Sequence, residues 1–306
     1  MTNELTVFED RFRETAAAFF REYERTRAAE PDTLTRVAGP MLRWAKAALG
    51  EGYADRLIEG YCFFVMEVNR AQKSYEKNGR YEYETFAAVY EKAYSNQDFM
   101  DLYHWGVYCS TFVWHHHLNI YKFFESHFLP LVAKKGEPGQ LVDLGAGSGI
   151  WHLLALGHLS GWQATAVDIS EPSIGMSTRM ASTLPFAANV KHVCADATSW
   201  KPSEPMDAGI SCFLLEHLER PQDLLGSLAG ALKPGAHAFI TCAITAAEID
   251  HIYEFRRESE VLVLVESVGF RVKHMYSAEP ETTPADRKYL PRSLAMVVQK
   301  RHNEIW

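Results

Sequence analysis

The sequence predicts an α/β fold in which a seven-stranded, mainly parallel sheet with an antiparallel edge hairpin follows an all-helical region. Three observations predict it. Apolar residues in 1–130 recur at helical spacing, and no strand alternates cleanly there. From residue 140 onward, short apolar runs alternate with helix-length stretches, the rhythm of parallel strands joined by crossover helices. At the junction, LVDLGAGSGIWHLLAL (141–156) reads as a strand, a glycine-rich turn and a helix.

Residues 5–29 read as one helix ending before Pro31, and 34–49 as a second that stops at Gly50. A third is expected over 53–78, where Leu57, Tyr61, Phe64 and Val68 share one face. Residues 83–94 and 100–128 supply two more, and KKGEPG at 134–139 punctuates the chain. Strands are expected at 140–144, 163–168, 190–194, 208–213 and 236–242, followed by a hairpin of 270–277 with 293–300 around a long polar loop. The predicted division is a helical cap at 1–130, serving substrate or dimer contacts, and a sheet-bearing unit at 131–306.

Of the 306 residues, 47% are apolar and 23% charged, an ordinary globular mix that excludes a disordered chain or a coiled-coil rod. The formal net charge of −8 disfavours sequence-independent nucleic-acid binding, which needs excess positive charge. No apolar run is long enough to span a bilayer, and the first residues lack the basic start and apolar stretch of a secretory signal. The five cysteines are odd in number and contain no CxxC, which reads as reduced thiols in a cytoplasmic protein.

The glycine turn admits two readings. A dinucleotide fingerprint, GxGxxG, needs Gly or Ala at position 150, where this chain has Ile150. The observed pattern is DxGxGxG, with Asp143 two residues before Gly145, then Gly147 and Gly149. Asp168 closes the next predicted strand, 25 residues on, where a carboxylate can accept bonds from both ribose hydroxyls of a nucleoside. CADATSW puts Asp196 and Ala197 after the third strand, and MDAGISCFLLEHLERPQDLLGSLAGALKPGAHAFI (206–240) supplies strand four, a helix and a turn into strand five. In this order and spacing the four motifs resemble the class I S-adenosylmethionine-dependent methyltransferases over about residues 130–300, with KPGA in place of the usual KPGG. The resemblance implies a Rossmann-like domain, S-adenosylmethionine as cofactor, and a cofactor site made by Asp143, Gly145, Ala146, Gly147, Asp168, Ile169, Asp196, Ala197 and Phe213.

In open α/β sheets ligands sit beyond the carboxyl ends of the strands. His217, in FLLEHL, and His251, in ITAAEIDHIYEFRR, fall there and are the candidate catalytic groups, since a neutral imidazole can take an acceptor's proton. The segment WHHHLNIYKFF (114–124) adds His115, His116 and His117, of which neighbours stand about 100° apart on a helix, so that one or two can reach a shared pocket. Tyr103 and His116 are the candidate substrate contacts from the cap.

DHIYEFR followed by EVLVLVESVGF resembles bacterial small-molecule methyltransferases of secondary metabolism. That resemblance implies a small-molecule acceptor, with methylation of the carbon beside the ketone of an α-keto acid as the specific expectation. Methylation at oxygen or nitrogen of a small metabolite, and cofactor binding without catalysis, are the alternatives. Carbon methylation needs an enolate stabilised by hydrogen-bond donors or by a divalent metal, for which His116, His217 and His251 are the candidate ligands. Arg256 is the candidate clamp for the acceptor's carboxylate.

Overall fold

In the computed structural model, residues 4–94, 96–133, 137–280 and 288–302 are described. Helices α1 (Glu4–Thr15), α2 (Ala17–Ala29), α3 (Pro31–Leu49) and α4 (Tyr53–Asn78) open the chain. The helix expected over 5–29 is broken at Ala16, whose backbone (φ −143°, ψ 50°) leaves the helical region. The break lets α2 fold back on α1, so that Phe12 meets Phe20 and Phe8 meets Tyr23 in one aromatic core. Pro31 opens α3, at the first helical position, where its missing N–H costs nothing.

After a short α5 (Phe86–Val89) and a wider turn (Tyr90–Tyr94) come α6 (Gln97–Val113), α7 (His115–Phe123) and α8 (Leu129–Val132), with a wide turn (Phe124–Phe128) between the last two. The helix expected over 100–128 is interrupted at Trp114, which is extended (φ −84°, ψ 124°). Its indole N–H donates to the Tyr61 hydroxyl at 2.9 Å, and its ring lies against Phe64 and His116. Beyond the break, Phe123, Phe124 and Phe128 pack on Phe239 of the sheet. One buried apolar cluster therefore includes helices of the first region and one face of the sheet.

The sheet runs in the order β3-β2-β1-β4-β5-β7-β6. Its strands are β1 (Gln140–Leu144), β2 (Gln163–Asp168), β3 (Val190–Cys194), β4 (Met206–Cys212), β5 (Leu232–Ile244), β6 (Phe270–Ala278) and β7 (Arg292–Lys300). β1 to β5 pair in parallel, while β7 enters antiparallel between β5 and β6. This is the predicted seven-stranded, mainly parallel sheet with an antiparallel hairpin. The predicted KPG turn lies within β5: the ladder jumps from Met206↔Leu232 to Ala208↔His237, so that 233–236 bulge from it. Helices α9 (Ile150–His158), α10 (Glu171–Ser182), α11 (Pro221–Ala231) and α12 (Glu258–Ser267) cover the sheet faces. Among the described residues no helix is long and apolar enough to cross a membrane.

Candidate active site

The carboxyl ends of β1, β2, β4 and β5 face the helices of the first region across a cavity of about 1070 Å³. Its floor is the glycine turn after β1. The N–H groups of Gly145 and Ala146 donate to the Val167 carbonyl (2.8 and 3.0 Å), tying the turn to β2. Gly145 and Gly147 both have positive φ (75° and 53°), and a side chain at Gly147 would point into open space in the cavity wall. Asp168, at the end of β2, accepts from the N–H groups of Gly147 and Ser170, each at 2.8 Å. Burial pushes its carboxyl above the ordinary value against those two bonds, and each oxygen keeps a lone pair for a ligand.

Ala146, Ile169 and Phe213 also line the cavity, Ile169 with 57% of its surface exposed. A nucleoside cofactor fits these features: bare backbone, an acid with free lone pairs, and exposed apolar side chains beside it. Three residues expected at the cofactor lie elsewhere. The buried Asp143 carboxylate meets His152 Nδ1 at 2.9 Å beneath the turn, which makes it a support of the loop. Asp196 is exposed and accepts from the N–H and hydroxyl of Thr198, closing its own turn, and Ala197 is buried in the core with it outside the cavity wall.

On the acceptor side the structure brings distant residues together. The Glu216 carbonyl accepts from the N–H groups of Ile252 and Tyr253 (2.8 and 2.9 Å), which lashes the turn after β4 to the loop after β5. His217 and His251 thus meet edge to face, 4.9 Å between ring centres. His217 Nδ1 lies 3.2 Å from the Asp250 carbonyl, and His251 Nδ1 lies 2.8 Å from that of Ala246. Both strand ends carry strain: Phe213 (φ 51°) and Thr245 (φ 49°) are the non-glycine residues in the left-handed region among those described.

The helical region supplies the opposite wall. The Tyr103 hydroxyl, with one proton to give, lies within hydrogen-bond reach of Glu248 and, at 3.0 Å, of Asp250; Tyr94 donates to Asp250 at 3.0 Å. Burial, reinforced by Asp250, pushes Glu248 up to about 7, and burial pushes Glu216 to about 7. Burial would raise Asp250 too, but the facing imidazoles and tyrosine hydroxyls hold it below its ordinary value. Sequence reasoning overlooked these three carboxyls, although the acids adjoining His217 and His251 were a readable signal.

His116 and His117 reach the cavity, and His115 turns away to Asn119. His116 stacks on Trp114 and adjoins His117. Among the described residues, two groups of metal-capable donors lie within 4.8 Å of one another: Glu216 with His217 and His251, and Glu248 with Asp250 and His251. His116, the third expected ligand, lines the same cavity but falls in neither group; its ring lies against Trp114 and His117. The expected clamp Arg256 is corrected as well. Its guanidinium is exposed and bonded to Glu254 (2.8 and 3.1 Å), outside the cavity. Arg292 lines the cavity instead, opposite Ile244 in the β5–β7 ladder and braced by Glu258 at 2.7 Å.

A glycine turn after β1, an acid closing β2 and polar groups crowding the ends of β4 and β5 fit a nucleoside cofactor with a reacting partner beside it. The chain belongs to the methyltransferase domain family, whose model matches residues 113–274, more than half of its length. It is an S-adenosylmethionine-dependent methyltransferase. Similar solved structures include a Burkholderia thailandensis 1,6-didemethyltoxoflavin N1-methyltransferase, 20% identical with a TM-score of 0.47, covering 71% of this chain and 89% of that one. A geranyl diphosphate methyltransferase (14%, TM-score 0.45) covers 55% and 75%, and the [4+2]-cyclase SpnF (15%, TM-score 0.46) covers 56% and 79%. No curated protein matches the chain.

Proposed function

We propose that the enzyme methylates a small carboxylate at the carbon beside its ketone. The observation that carries this reading is the convergence of Glu216, His217, Glu248, Asp250 and His251 in one cavity with the glycine turn and Asp168. Methylation of a phenol needs one base; removing a carbon-bound proton also needs the resulting charge to be held, so several polar groups must converge.

When bound, S-adenosylmethionine supplies an electrophilic methyl on a sulfonium. In the proposed arrangement Gly145, Ala146 and Gly147 cradle its amino-acid half, Asp168 takes the ribose hydroxyls, and Ile169 and Phe213 flank the rest. Arg292 holds the acceptor's carboxylate, and His217 and His251 stand at the carbonyl end. Glu248, whose raised value puts it near neutrality, takes the proton from carbon. With the cofactor held there, the carbon so deprotonated would take its methyl, the carbon–sulfur bond yielding its electrons to sulfur to leave a neutral thioether. Tyr103 aims Glu248, and the apolar wall of Trp114, Phe64 and Met100 excludes water from the acceptor. In this reading residues 1–130 serve as the cap and 131–306 as the cofactor-binding unit.

The test offers several α-keto acids and simple phenols with labelled cofactor and follows new carbon–carbon bonds by mass and NMR. Keto acids should gain a methyl on carbon. Robust oxygen methylation of phenols with no reaction at keto acids would sink the acceptor assignment and leave the methyltransferase one.

A further inference from the structure

We infer that Glu216, His217 and His251 form a binding site for one divalent first-row transition ion. The inference deepens the acceptor reading above, and it rests on the cluster's own geometry. One oxygen of Glu216 and one ring nitrogen each of His217 and His251 lie within 4.8 Å of one another. Donors about 2.0–2.2 Å from a common tetrahedral ion lie about 3.3–3.6 Å apart, so side-chain movements of about an ångström or less close the set.

The hydrogen bonds fix what each group presents. His251 Nδ1 faces the Ala246 carbonyl, and His217 Nδ1 faces both the carbonyl and, at 3.4 Å, the carboxylate of Asp250. Those neighbours only accept, so in each neutral ring the proton sits on Nδ1 and Nε2 keeps its lone pair. Imidazoles that ligate metals are commonly oriented in this way, the other nitrogen donating to a carbonyl or carboxylate. Glu216 is fully buried. Its Oε1 accepts from the Ala243 N–H at 3.1 Å, while Oε2 has no hydrogen-bond partner among the described residues. A buried carboxylate oxygen without a donor is costly unless a cation satisfies it.

The surrounding charge agrees. Among the described residues no Lys or Arg pairs with Glu216, Glu248 or Asp250, and the hydroxyls of Tyr94 and Tyr103 are already given to Asp250 and Glu248. Three carboxyls and two imidazole lone pairs thus meet with no cation of their own. Two nitrogen donors and one carboxylate select zinc or ferrous iron over magnesium or calcium, which prefer all-oxygen sets. A bound ion of this kind supplies Lewis acidity at the carbonyl end, leaving Glu248 free as the proton acceptor.

The test uses the untagged full chain, stripped with chelator and dialysed against Zn²⁺ or Co²⁺ alone. The wild type should take up one ion per chain, and Co²⁺ should show the visible absorption of a nitrogen- and oxygen-ligated site. Glu216→Gln and His251→Gln should each weaken uptake by about 100-fold or more, while calorimetry with S-adenosylhomocysteine gives wild-type affinity and so reports that the variant is folded. If the stripped wild type binds no stoichiometric ion, or both folded variants bind it as tightly as wild type, the inference is overturned, whatever the acceptor assay shows. Keto acids left unmethylated by the metal-loaded enzyme would instead overturn the acceptor reading and leave the metal site standing.

Discussion

Asp168 carries the heaviest load of any single residue in the cofactor half. Its two backbone bonds, to Gly147 and Ser170, hold the carboxylate at the mouth of the glycine turn, so it needs no rearrangement to meet ribose hydroxyls. Charge-assisted bonds are worth about 1.5–3 kcal/mol each. Asp168→Ala should therefore weaken binding of S-adenosylhomocysteine at least tenfold by calorimetry, and a folded variant with unchanged affinity would remove the central support for the cofactor placement. The two arginines make a sharper pair. Arg292→Ala should raise KM for a carboxylate acceptor with a smaller change in kcat, whereas Arg256→Ala, which loses only an exposed pairing with Glu254, should leave KM within about twofold, the range expected of a surface ion pair. The reverse order would restore Arg256 as the clamp. Away from the reacting groups, burial holds His117 down to about 3, and burial with His152 nearby holds His192 down to about 4. Both lie below the unfolded histidine value of about 6.5, so as pH falls the unfolded chain binds protons first. Stability present above about pH 6.5 is then lost toward pH 4. Glu216 and Glu248, pushed up to about 7, act in the opposite sense over the same range, so the histidine contribution is read as a difference: from pH 7 to 5 the urea midpoint of His117→Gln should fall less, or rise more, than that of the wild type, and identical slopes would count against the assignment.

The elements that shape the cavity are set by two contacts. One is the break at Trp114, where an indole hydrogen bond to Tyr61 and ring contact with Phe64 turn α7 out of line with α6 and aim His116 and His117 at the cavity. The other is the crossing of α4 and α6, where a side chain at Gly106 would stand 2.3 Å from the Phe64 Cβ and 2.5 Å from the Gly60 carbonyl. The helices touch backbone to backbone there, three residues from Tyr103. Gly106→Ala should force them apart at a cost of about 1–3 kcal/mol, the usual range for overpacking. It should also lower turnover by displacing Tyr103 from Glu248. Thermal melts and kcat measured together test this; full activity and an unshifted melt would show that the crossing tolerates a methyl group.

Across the whole molecule, the loop after β5 is clasped between the sheet and the helical region. Gln72 accepts from the Ala247 N–H (2.8 Å), Tyr81 donates to the Ala246 carbonyl (2.8 Å), and Tyr94 and Tyr103 reach Asp250. Every one of these partners lies before residue 114, while the loop itself carries Glu248, Asp250 and His251. A truncated chain beginning near residue 130 should lose methyl transfer, because the loop would keep its bonds to the turn carrying His217 but lose those from Gln72, Tyr81, Tyr94 and Tyr103, which place Glu248 and Asp250 in the cavity. Turnover by product formation, with circular dichroism as the check on folding, decides it. Full turnover by the truncated chain would show that the helices only mediate association.

What the sequence determined by itself was local. The first three strands lie where short apolar runs between glycine and polar punctuation put them, and α4 spans the expected 53–78, since periodicity and end signals are written in consecutive residues. The glycine turn and Asp168 were legible for the same reason: strand, turn and acid are a short-range pattern whose geometry the backbone itself dictates. Nothing local marks Ala16 or Trp114 as a break: the aromatic core that α1 and α2 fold into is completed by Tyr61 and Phe112, and Trp114 bonds Tyr61, all far along the chain from the break they serve. The acceptor side was legible only as candidates. His217 and His251 are 34 positions apart, and it takes two bonds from Ile252 and Tyr253 to the Glu216 carbonyl to set them ring to ring. Arg256 and Arg292 cannot be ranked by composition or spacing, because the choice depends on which guanidinium the β5–β7 ladder turns toward the cavity. Glu216 depends most on the tertiary structure: its place beside His217 is readable in the sequence, but only burial around it leaves one of its oxygens without a donor.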